Sequence, residues 1–61
     1  MNDTALEKIR YVKAYLERAE TALLEGDIQL SLGNLDKVEF EVEGAKWLLR
    51  DDIKQGRNYN E

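Results

Sequence analysis

The chain has 61 residues, 43 % hydrophobic and 36 % charged, with a formal net charge of −4 and no cysteine, histidine or proline. That length allows one small domain; the missing cysteine and histidine exclude disulfides and the usual zinc sets, and the acidic balance argues against a module that lives on phosphate neutralisation. Helical scaffolds below about 70 residues need disulfides, metal or oligomerisation, so an oligomer is expected.

No apolar run has the length of a signal peptide or of a membrane span, which makes an intracellular protein, with no membrane association, the expectation. Met1 and Asn2 are expected to fray. Thr4 and Glu7 then have the spacing of a capping box, which starts a first helix at about residue 4 and lets it run to about 25. Along it Ala5, Ile9, Val12, Leu16, Ala19 and Leu23 recur at alternating spacings of three and four. In heptad lettering Ile9, Leu16 and Leu23 take the a positions; Ala5, Val12 and Ala19 take d. Large layers alternate with small ones, and such a stripe needs a facing surface.

Gly26 and Asp27 form the predicted turn. Glycine can adopt the left-handed conformation that ends a helix, and the aspartate can cap the next one. So short a connection makes the two helices antiparallel. Helix 2 is expected over about 28–54, followed by a polar tail over 55–61. In it Ile28, Leu35, Val42 and Leu49 repeat every seven residues, while Ser31, Val38, Ala45 and Asp52 fill the alternate seam positions. Leu32, Leu48 and Ile53 widen this face, as four-helix bundles require.

Residues 28–43 also alternate apolar and polar around Gly33-Asn34, the pattern of a β-hairpin. The helix is expected nonetheless, because the same residues carry an unbroken stripe through Ala45 and Leu49 and an isolated two-stranded hairpin is marginal. Gly33 and Gly44 inside a helix each cost about 1 kcal/mol relative to alanine.

The fold class expected is all-α: one helical-hairpin domain over residues 1–61 that dimerises into a four-helix bundle. A lone hairpin has one inter-helix surface, too little burial to offset the ordering of its chain. The expected dimer and core positions are Ile9, Val12, Leu16, Ala19, Leu23, Ile28, Leu35, Val38, Val42, Ala45 and Leu49. Charge suggests an orientation. Residues 1–14 and 42–61 carry seven basic and six acidic groups, a balance of +1, whereas residues 15–41 carry two basic and seven acidic, a balance of −5. Placing the two turns at opposite ends of the dimer keeps the acidic ends apart.

The short Gly-Asp turn, the heptad stripe and the alternating small and large layers over residues 4–54 resemble the ROP-type helical-hairpin dimer. They are also similar to the small helical-hairpin proteins of crenarchaeal spindle-shaped viruses. The resemblance implies a homodimeric binding protein without catalysis, in the viral case an adaptor in the host cytoplasm. The RNA-binding role of the ROP type does not carry over residue by residue.

Two surface stripes stand out. Phe40 and Trp47 lie opposite the helix 2 seam, with Gly44 between them, Gly33 on the same side and Leu30 nearby. Exposed aromatics with a glycine notch suit a protein partner, since aromatics dominate interface hot spots; the equal alternative is that the rings lie over neighbouring side chains or that the dimer packs on a different face. Lys8, Tyr11, Tyr15 and Arg18 flank the helix 1 seam and combine cations with stacking rings, the ingredients of a nucleic-acid face; the preferred reading is a solvated face whose tyrosines shield the dimer edge. Glu39, Glu41 and Glu43 form an acidic run that lacks the histidine of di-iron bundles. With no histidine or cysteine, and Ser31 as the sole serine on the predicted seam, no catalytic site, metal or cofactor is expected. The functional expectation is a homodimeric adaptor for an unidentified protein partner. The alternative is a ROP-like regulator of RNA or DNA, although nucleic acid is not the expected ligand.

Overall fold

The first helix begins one residue before the predicted capping box can act, because a different side chain supplies the cap. In the computed structural model, which describes residues 2–56, α1 spans Asp3–Leu24 and α2 spans Ile28–Lys54. Asn2 is the N-cap of α1, its Oδ1 accepting from the Ala5 N–H at 2.9 Å. Its Nδ2 donates to Asp52 Oδ2 at 2.8 Å and lies 3.4 Å from the Leu48 carbonyl oxygen. Asn2 is therefore tied to α2 rather than frayed, and Thr4 lies inside the helix; Met1 lies outside the described residues.

The turn forms as the sequence predicts. Gly26 has φ +84°. Its N–H donates to the Leu23 carbonyl at 3.0 Å and the Asp27 N–H reaches the Ala22 carbonyl at 2.8 Å. These two bonds satisfy carbonyls that the helix end leaves open and reverse the chain within three residues. Asp27 then caps α2, its Oδ1 accepting from the Leu30 N–H at 3.0 Å. Helix α2 continues unbroken through Gly33 and Gly44, and no strand forms among the described residues. It closes at Gln55 and Gly56; the rest of the expected tail, 57–61, lies outside the described residues.

The rows that face each other differ from the expected ones. Of the expected dimer and core positions, Ala19 and Ala45 are buried within the hairpin itself and Val12 and Val38 are half-buried. The remaining buried residues are Ala5, Ala22, Ser31 and Asn34. Half-buried Lys8 and Tyr15 on α1, and Glu41, Leu48 and Asp52 on α2, complete the seam. The helices thus meet through the d positions and the g positions beside them. The large a residues, Ile9, Leu16, Leu23, Ile28, Leu35, Val42 and Leu49, all stand exposed along one side. Two helices cover one stripe between them, and here the small side chains of the d rows, Ala5, Ala19, Ser31 and Ala45, together with Ala22 of the α1 g row, permit close approach. Ser31 Oγ donates to the Ala19 carbonyl at 2.8 Å and Asn34 Nδ2 donates to the Leu30 carbonyl at 3.0 Å. No buried side-chain polar atom among the described residues lacks a partner.

Candidate protein-interaction surfaces

The hairpin presents two unlike faces, one on each side of its seam. On the first, the a residues of the two helices run side by side. Lys8 faces Glu41, Ala19 faces Ser31 and Asn2 faces Leu48, so Ile9 lies level with Val42, Leu16 with Leu35 and Leu23 with Ile28. Ile9, Val12, Val42, Ala45, Lys46 and Leu49 line a shallow groove on this face. Leu16 and Leu35 are 45 % and 44 % exposed, and Leu32 and Ile53 are exposed beside them.

The second face carries the aromatic residues. Phe40 is 74 % exposed and Trp47 66 %. They are one heptad apart, about 10 Å along the helix, and the Arg50 guanidinium lies 5.9 Å from the Trp47 ring centroid. Leu30 is exposed but about 15 Å of helix separates it from Phe40. It instead borders a separate groove with Ala14, Arg18, Thr21, Asn34 and Lys37. The glycine notch between the aromatics is already filled. A Cβ on Gly44 would lie 3.2 Å from both Cδ and Cε of Lys8, whose stem crosses the glycine on its way to Glu41. Gly33, by contrast, has open space around it.

Both faces are open, and neither holds an enclosed cleft among the described residues. Comparison with protein-family models, characterised proteins and solved structures finds no match for this chain. The functional reading therefore rests on its own side chains.

The basic and aromatic stripe of α1 is divided by the fold. Lys8 Nζ pairs with Glu41 Oε1 at 3.1 Å across the seam. Tyr15 is half-buried, with Arg18 Cζ and Lys37 Nζ each 5.5 Å from its ring centroid. Tyr11 and Arg18 remain exposed, so the four residues do not form one free row. The acidic run is divided too: Glu41 turns to Lys8, Glu43 approaches Lys46 at 3.4 Å, and Glu39 is exposed on the edge of the apolar face. No group of three or more potential metal ligands gathers among the described residues. No described helix is long and apolar enough to cross a membrane.

Sequence reasoning overlooked Asn2, Asn34 and Lys37. The signal for Asn34 was present, because Asn34, Glu41 and Leu48 repeat every seven residues beside the d row. Polar members hid that row from a search for apolar stripes.

Proposed function

We propose that this chain is a non-enzymatic interaction module: two hairpins join through their exposed a rows into a four-helix bundle, and each presents Phe40 and Trp47 outward to a protein partner. The observation that carries the reading is the inversion of the core. Every buried hydrophobic residue among those described is an alanine, while the large aliphatic side chains stand outside in register.

The run of exposed large aliphatic residues in register, Ile9, Leu16, Leu23, Ile28, Leu35, Val42 and Leu49, supports two copies, because a second hairpin offers an identical apolar face to cover it. Association would cover the a rows and leave the aromatic faces on opposite sides of the bundle. Two equivalent sites would let the module bridge two partner molecules or gain avidity on one.

Trp47 is the sole tryptophan, which makes the test direct. Sedimentation equilibrium at micromolar concentration is expected to give twice the chain mass. Indole emission is expected to stay at the solvated wavelength through the monomer–dimer transition. A folded monomer would remove the two-copy reading, and a blue shift on association would place Trp47 in the dimer interface instead of on an outer site.

A further inference from the structure

Two hairpins can stack their apolar faces with both turns at one end or with the turns at opposite ends, and the edges of that face distinguish the two. This step rests on the two-copy reading above. Just outside the large a residues, α1 carries Leu6, Lys13 and Glu20, and α2 carries Leu32, Glu39, Lys46 and Ile53. In the observed register Lys13 is nearly level with Glu39, as Lys8 is with Glu41 and Gly44.

With both turns at one end, the twofold axis runs along the bundle and each α1 stacks on the second copy's α2 at the same height. Lys13 then meets the second copy's Glu39, and symmetry makes the pair twice. With the turns at opposite ends, each α1 stacks on the other α1. When the large layers are kept in step and fully overlapped, the dyad falls near Val12. That brings Lys13 beside the second Lys13 and Glu39 beside the second Glu39.

The end layer gives an independent indication. Leu23 and Ile28 are 60 % and 69 % exposed. In the same-end arrangement they cover one another's copies. In the crossed arrangement they lie against the layer of Asn2 and Leu49, where the Asn2 amide is held by Asp52.

We propose that two hairpins associate with both turns at the same end, each α1 against the other chain's α2, with Lys13 and Glu39 as the paired edge charges. The net charge of −5 over residues 15–41 opposes this arrangement. However, Glu25 and Asp27 are exposed, and salt screens exposed charges beyond about 8 Å, whereas the edge charges would meet at contact distance. Two edge pairs together with the covered end layer, set against a screened repulsion, favour the same-end arrangement at physiological salt.

The test uses a chain with no native cysteine. A single nitroxide on Glu25→Cys, read by pulsed electron resonance in the dimer, is expected to give a separation under roughly 30 Å, the width of a four-helix bundle. A separation near 40 Å or above, the length of a 27-residue helix at about 1.5 Å per residue, overturns the orientation but leaves the dimer standing. A monomeric mass in sedimentation overturns the two-copy reading itself. As a second measurement, Lys13→Glu is expected to weaken the dimer roughly tenfold. Adding Glu39→Lys to the same chain is expected to restore affinity to within about threefold of the parent. A double variant no tighter than the single one overturns the pairing.

Discussion

Gly33 and Gly44 sit in the same helix, yet alanine at each meets a different surrounding. At Gly33 nothing lies within 4 Å of the added methyl, so Gly33→Ala is expected to gain about 1 kcal/mol from helix propensity alone. At Gly44 the methyl would lie 3.2 Å from the Lys8 stem, which must give by a few tenths of an ångström while its ammonium stays with Glu41. Gly44→Ala is therefore expected to gain less than half as much, and paired thermal melts at equal concentration check the difference. Asn2 is the other decisive residue. Asn2→Ala removes the cap of α1 together with the bond to Asp52, and a loss of about 1–2 kcal/mol in urea unfolding is expected. Local spacing directs attention to Thr4 and Glu7 because a capping box is a four-residue pattern. The bond that holds Asn2 in place spans 50 positions, and only the closed hairpin brings its ends together.

The hairpin itself was legible because its signals are local: a glycine able to take positive φ, an aspartate able to cap, and apolar rows that persist on either side. Which rows would face each other inside one chain was not. A stripe shows that a helix has a covered face without showing whether its own hairpin mate or another chain covers it. Here the a rows are left over, and the intra-chain seam takes d and g, with alanine, serine and asparagine permitting close approach. This assignment makes a prediction contrary to hydrophobic patterning. Ser31→Leu puts a larger apolar group on the heptad seam, which patterning alone would count as a gain. In this fold Ser31 is buried with its hydroxyl on the Ala19 carbonyl. The larger side chain forces the helices apart and is expected to destabilise by about 2–3 kcal/mol, seen as a lower urea midpoint at fixed chain concentration.

At the scale of the whole molecule, the outward placement of its large aliphatic residues determines how its stability should respond to concentration. If the a rows are covered only on association, folding and dimerisation are one equilibrium, and the apparent stability depends on how much chain is present. Each tenfold rise in concentration then adds about 1.4 kcal/mol per mole of dimer. For two chains of this size that raises the melting temperature by about 5 °C. Leu16→Lys places a charge in the middle of the apolar face and is expected to abolish the concentration dependence and leave a largely unfolded chain. Phe40→Ala with Trp47→Ala alters only the opposite face, so that variant is expected to melt within a few degrees of the parent and keep the same slope. Circular dichroism melts of the three proteins over a hundredfold range of concentration separate the two faces. A parent whose melting temperature is flat across that range would mean that one hairpin is stable with its leucines in water. An aromatic variant that loses the slope would mean that copies meet through Phe40 and Trp47 instead of Leu16 and Leu35.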